Sequence, residues 1–157
     1  MPDVRFVDTS ILLELLRVPG KAQQPDKVRA ELGELVGDRV QLVLPVATVI
    51  ETGNHIAQVA DGSARRRCAE VFVGLLRQTI EGRVPWVLHS VAWDEGMLRK
   101  LCDGTEATGS FVELAAAGVL GTGDLAILAE CELYEERTAG VNVRVWTHDR
   151  RLAAYAG

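Results

Sequence analysis

Apolar residues run along this chain in two rhythms. Four short runs, residues 4–7, 40–44, 85–89 and 141–146, are rich in Val, Leu and aromatic residues and end at turn or breaker residues. They predict strands. Longer stretches carry helical spacing. Residues 11–16 are nearly all apolar, and residues 26–36 place Val28, Leu32, Leu35 and Val36 on one side. Residues 48–60 align Val49, Ile50, Gly53, Ile56 and Ala57 as an apolar or small face, and residues 64–81 turn Val71, Leu75 and Leu76 toward a core. Residues 93–102, 111–119 and 124–137 continue the series, with a short Ala-rich helix at the end. The punctuation agrees: Pro19-Gly20, Gly37-Asp38, Pro45, Asp61-Gly62-Ser63, a loop at 103–109, Gly121-Thr122-Gly123 and Gly140. Strands alternating with one or two helices predict an α/β protein, a parallel sheet with helices on both faces. No repeat, low-complexity tract or linker breaks residues 1–157, which are read as one domain.

Composition changes this picture little. The hydrophobic fraction of 48% and charged fraction of 25% are those of an ordinary globular chain. A net charge of −5 provides no global field to draw in nucleic acid. It leaves an RNA substrate open, because bound divalent cations offset carboxylates locally. Cys68, Cys102 and Cys131 are odd in number and widely spaced, and read as reduced core thiols. Asp3, Arg5 and Asp8 interrupt any signal-peptide core, and no run nears the roughly 18 apolar residues of a membrane span. The expected setting is the cytoplasm.

The chemistry lies in the acids. Asp8 stands where the first strand ends and a helix begins, with Ser10 placed to cap that helix. Glu51 falls in the first turn of the helix after strand two, and Asp149 follows strand four. Asp124 heads the stripe Ile127, Leu128, Cys131 and Tyr134, preceded by Gly-Thr-Gly, which lets backbone approach a ligand closely. The carboxyl ends of parallel strands form the ligand crevice of such sheets. Each acid alone has a structural explanation as a cap or dipole partner. Together they repel unless cations neutralise them, and oxygen-only ligands favour Mg²⁺ or Mn²⁺. A pair of such ions promotes phosphodiester hydrolysis.

Four segments, Phe-Val-Asp8-Thr-Ser, Val-Ile-Glu51-Thr-Gly-Asn, Gly-Thr-Gly-Asp124-Leu-Ala-Ile-Leu-Ala and Val-Trp-Thr147-His-Asp149, resemble in order and spacing those of the PIN-domain nucleases. The nearest flavour is the VapC-type toxin of toxin–antitoxin pairs, and the resemblance spans nearly the whole chain. It implies a metal-dependent endoribonuclease using Mg²⁺ or Mn²⁺. Asp8, Glu51, Asp124 and Asp149 would hold the metal and carry catalysis, and Thr9, Ser10 and Thr147 would support the acids. It implies a sheet in the order 3-2-1-4, an RNA substrate, an antitoxin partner and a homodimer. The apolar residues of 11–16 and 28–36 are the expected dimer contact. Two features depart from the pattern. Only residues 150–157 follow Asp149, so a fifth strand is expected to be absent, and residues 61–81 are long and carry Arg65, Arg66 and Arg67.

Other residues weigh less. His55, four residues after Glu51, and His148 are usual surface or hydrogen-bonded histidines, with metal ligation as the rarer role. The Arg65–Arg66–Arg67 triplet reads as a solvated helix start, while Arg150 and Arg151 lie beside the site as candidates for phosphate contacts. Trp86, Trp93 and Trp146 read as core. The alternatives to a nuclease are a non-catalytic binding or regulatory module on the same fold, and a phosphatase with Asp8 as nucleophile. The last wants a second Asp two residues on, where Ser10 stands.

Overall fold

Alternation along the first strand decides which helices lie on which face. The computed structural model describes residues 1–157. Strand β1 (Asp3–Val7) sends Val4 and Phe6 to one side, with Val43, Val143 and Val145 of its neighbours. Val7 goes to the other side with Leu42, Leu44 and Trp146. The neighbours are β2 (Gln41–Leu44) and β4 (Asn142–Trp146), and β3 (Trp86–Leu88) lies outside β2. All pairings are parallel and the order is β3-β2-β1-β4. Phe6 registers with Val43 on one side and Val145 on the other. The predicted class and strand order therefore hold.

Helices α1 (Thr9–Leu15) and α2 (Pro25–Gly37) cover the Val7 face, packing Ile11, Leu12 and Val28 into it. Helices α6 (Phe111–Ala116), α7 (Thr122–Arg137) and α8 (Arg150–Ala153) bring Leu114, Leu125 and Leu152 to the Phe6 face. Between β2 and β3 run α3 (Val46–Ala57) and the long α4 (Gly62–Ile80), and α5 (Glu95–Asp103) follows β3. The sheet has four strands. On the outer edge of β4 the Val145 N–H donates to the Ala156 carbonyl at 3.2 Å, so the segment after α8 caps part of that edge. No helix is long and apolar enough to cross a membrane.

The structure corrects several expectations. Ile11, Leu12, Leu13 and Val28 are buried in the core, and of the large apolar residues expected at the dimer contact only Val36 is exposed. An apolar run reads the same whether it faces a core or a partner; here the sheet takes it. Exposed apolar side chains lie instead on α4 (Val71 and Val73, with Ile80 at its end) and on the edge strand β3 (Val87, Leu88). Helix α4 has no buried residue; Leu75 and Leu76 are half-buried and Val71 is exposed. Trp86 and Trp146 are core, but Trp93 is exposed. Of the three free cysteines only Cys131 is buried, and Cys102 is exposed.

Helix α7 departs most. Every residue from Leu125 to Cys131 is buried, so it has no polar face in that stretch. It is enclosed by β4, α3 and α5, and its apolar stripe cannot be separated from the rest. Among these residues is Glu130, whose Oε1 lies 2.9 Å from His89 Nδ1 just beyond β3. His89 in turn stands edge-on to Phe6 and Tyr134. Burial raises Glu130 from its ordinary 4.5 to about 7. Burial, and then the charge of Arg137, lower His89 below its ordinary 6.5.

These two shifts oppose each other in the pH dependence of folding. The folded chain holds a proton on Glu130 that the unfolded chain releases between pH 4.5 and about 7, so this group stabilises more as pH falls through that window. His89 does the reverse, because the unfolded chain gains a proton below 6.5 that the folded chain resists. Glu130→Gln removes the first effect and keeps a polar partner for His89. We expect the stability of wild type relative to Glu130→Gln, from urea unfolding, to rise steadily from pH 7 to pH 4.5. A difference that is constant with pH would show that Glu130 does not hold the proton.

Candidate active site

Asp8 and Asp149 follow β1 and β4 and cap the next helices, Asp124 lies in the first turn of α7, and Glu51 lies on α3 just beyond β2. Asp8 follows β1 and is the N-cap of α1, its Oδ2 accepting from the Ser10 N–H at 3.3 Å. The expected cap, Ser10, lies inside the helix and serves Asp8 instead. Its hydroxyl donates to the same Oδ2 at 2.8 Å, and the Thr147 hydroxyl donates there at 2.7 Å. Oδ2 thus holds three donors. Oδ1 is buried and has no partner. Asp8 is 3% exposed. A buried carboxylate oxygen with no donor is costly, and it calls for an explanation.

Glu51 lies in the second turn of α3 rather than the first, because that helix begins at Val46 directly after Pro45. Thr9 donates to its Oε1 at 3.4 Å. Thr48, fully buried, fixes α3 to the end of β1 by donating to the Val7 carbonyl at 2.7 Å. Sequence reading saw Thr48 only as a helix start. Asp124 is the third residue of α7, and its Oδ2 accepts from the Gly121 N–H at 3.3 Å. Gly121 therefore caps the helix, and Thr122 and Gly123 belong to its first turn rather than to a break before it. Asp149 caps α8, accepting from the N–H groups of Arg151 and Leu152. Its own N–H donates to Thr147 Oγ1 at 3.0 Å, which links it through that hydroxyl to Asp8.

Electrostatics ties the acids together. Glu51 is raised above its ordinary value by burial first, then by the charges of Asp124 and Asp8, against the Thr9 hydrogen bond. Asp124 is raised by burial, and further by Asp8 and Asp149, against the Gly121 N–H. Asp8 thus acts on both half-buried acids, Glu51 and Asp124. They do not converge at bonding distance on one point: no group of three His, Cys, Asp or Glu side chains is closed around a common centre. The donors nevertheless suit a hard divalent cation. They are all oxygen, and Asp8, whose Oδ1 has no partner, repels Glu51 and Asp124.

The remaining candidates separate clearly. His148 turns its ring to α2, with Nε2 2.9 Å from Glu31 Oε2, while its N–H donates to Ser10 Oγ at 3.1 Å. His55 feels burial and the charge of Lys21, which lower it. Arg151 donates to the Gly118 carbonyl at 3.0 Å, whereas Arg150 is exposed and lines an open pocket. Arg65 binds the carbonyl of Val59 at 2.8 Å, Arg66 pairs with Glu70, and Arg67 is exposed, so the triplet is a solvated helix start as expected.

No family model matches the chain. No curated protein matches it either. Among solved structures, it is similar to a chain of the crystal structure of VapBC2 from Rickettsia felis bound to a DNA fragment from their promoter. The TM-score is 0.50 and the identity 12%, over 92% of this chain and 99% of that one. The likeness is one of fold. It places the α/β arrangement of this chain beside that of a toxin–antitoxin complex.

One position outside the acids controls their geometry. A methyl group on Gly123 would land on the Glu51 carboxylate. That carboxylate ends a flexible side chain and can move, so the fold tolerates the change while Glu51 does not keep its place. We expect Gly123→Ala to melt close to wild type, within about 1 kcal/mol, yet to shift Glu51 away from Asp124. A Glu51 titration by NMR should then show a weaker upward displacement. An unchanged titration would mean Glu51 is held elsewhere.

Proposed function

We propose that this chain is a PIN-like, metal-dependent endoribonuclease that hydrolyses RNA phosphodiesters with Asp8, Glu51, Asp124 and Asp149. The observation that supports it most is the buried, unpartnered Oδ1 of Asp8 beside Glu51 and Asp124. Asp8, Glu51 and Asp124 would hold Mg²⁺ or Mn²⁺, and Asp149 would serve a second ion or orient water. A bound divalent cation supplies Lewis acidity that polarises water and offsets the charge developing on the phosphodiester. The chain's own part is positional. Ser10 and Thr147 fix Asp8 through Oδ2 and leave Oδ1 without a protein donor. Thr9 steadies Glu51. In the reaction water adds to phosphorus, the bond to the leaving ribose oxygen breaks, and that oxygen takes up a proton.

The likeness to a chain of VapBC2 supports two further parts of the proposal. The chain would act as a toxin, with a protein antitoxin as partner, and would work in the cytoplasm. We also propose a homodimer, formed through exposed apolar residues of α4 and β3 rather than through α1 and α2. The second reading, a non-catalytic binding or regulatory module, draws on the capping roles of Asp124 and Asp149, which account for those two acids without a metal.

Two measurements test the proposal. Millimolar Mn²⁺ should raise the melting temperature over an EDTA-treated reference, by about 2.7 kcal/mol of stability at a hundredfold excess over Kd. No rise would count against any metal site. Single-stranded RNA with Mg²⁺ or Mn²⁺ should be cleaved by wild type, and orders of magnitude more slowly by Asp8→Asn, Glu51→Gln and Asp124→Asn, with a smaller loss for Asp149→Asn. Asp8→Asn should stay folded and gain stability without metal as repulsion falls. Equal cleavage by wild type and Asp8→Asn would place the activity elsewhere, and a folded wild type that cleaves no RNA would favour the binding module.

A further inference from the structure

A second polar pocket borders the acids. It encloses about 470 Å³ and is lined by Glu14, Gln23, Gln24, Lys27, His148 and Arg150, with no apolar residue. Its position follows from the fold. Glu14 lies one turn beyond Ser10 on α1, Lys27 is in the first turn of α2, and Arg150 follows Asp149. The His148 N–H reaches Ser10 Oγ, which donates to Asp8, so the pocket begins one side chain away from the acid cluster.

The charges in it are unevenly used. Glu14 is 8% exposed, and its carboxylate is taken up by backbone. Its Oε1 accepts from the Gln23 N–H at 2.9 Å, and its Oε2 from the N–H groups of Gln23 and Gln24 at 3.0 and 2.9 Å. Glu14 thereby builds the pocket wall by fixing the turn before α2. The other nearby cations are spent: Arg17 pairs with Asp26, and Arg151 holds the Gly118 carbonyl. His148 bonds Glu31, whose carboxyl also feels Lys27. Lys27 and Arg150 are exposed and make no ion pair within 4.0 Å, and both face the same space.

We infer that this pocket binds a backbone phosphate of single-stranded RNA beside the acid cluster. Lys27 and Arg150 would be its cationic contacts, and Arg151 would not take part. The inference rests on the nuclease reading for its substrate but not for its readout. An anion there meets two cations free to bind it, while the neighbouring acids repel any phosphate that is not offset by a cation. The pocket therefore gives the strand a direction across the site.

The test measures binding of a fluorescein-labelled single-stranded RNA oligonucleotide in EDTA, so that no turnover occurs, over a range of salt concentrations. Lys27→Ala and Arg150→Ala should each reduce the slope of log K against log salt by about 0.7, and the double variant by about 1.4. Arg66→Ala, on α4 and paired with Glu70, should leave it unchanged. Replacing one phosphate at a time by a neutral methylphosphonate should reveal a position that weakens wild type and leaves the double variant unaffected. Wild-type slopes in both single variants would overturn the pocket, even if Asp8→Asn abolishes cleavage as proposed. Absence of RNA binding by wild type would overturn it too. Shifted slopes together with normal cleavage by Asp8→Asn would keep the pocket and sink the nuclease reading.

Discussion

The structure around the acids depends on one constraint: a carboxylate buried at the end of the central strand must be satisfied. Asp8 meets half of that demand locally. Its Oδ2 collects the Ser10 N–H, the Ser10 hydroxyl and the Thr147 hydroxyl, which locks the ends of β1 and β4 together. The same bonds place α1, because Asp8 is its cap, and they place Asp149, whose N–H rests on Thr147. Thr48 adds the third tie, from α3 to the Val7 carbonyl, and so brings Glu51 toward the same point. The site is therefore a consequence of how three helices are attached to the strand ends.

Much of this was legible beforehand. The runs ending at Val7, Leu44 and Trp146 gave strands in the right places, and their alternation with helices implied the parallel sheet. The four acids fell near strand ends because parallel strands share a direction. Helix starts were read less well. Pro45 does stop β2, and it is also the N-cap from which α3 starts at once, since proline's fixed φ suits the position before a helix and its missing N–H costs nothing there. Glu51 consequently moved one turn inward.

What stayed hidden depended on tertiary surroundings. The residues of α7 alternate in type, yet Leu125 to Cys131 are all buried, because β4, α3 and α5 enclose the helix on several sides. A charged residue in its middle, Glu130, was the available signal: an acid inside a small-residue helix needs a partner, and His89 supplies it. In the same way Glu14, set in the apolar run of α1, pointed to backbone donors nearby. The apolar residues of 11–16 and 28–36, expected at a dimer contact, are mostly core for a simpler reason. Amphipathic periodicity states that a face is covered and does not state by what.

Comparing the buried acids shows why Asp8 stands apart. Asp8, Glu14 and Glu130 are 3%, 8% and 2% exposed. Glu14 spends both oxygens on backbone N–H groups and becomes part of a turn. Glu130 is matched to an imidazole and favours the protonated form, so no uncompensated charge remains. Asp8 has neither solution for Oδ1, although serine, threonine and backbone donors crowd its other oxygen. The fold could have satisfied both oxygens, as it did for Glu14. It instead leaves that oxygen without a donor, while Glu51 and Asp124, raised first by burial, are raised further by the charge of Asp8. Arranging anions so that each makes the next less stable costs folding energy, and it is consistent with selection for a ligand of opposite sign rather than for the fold alone.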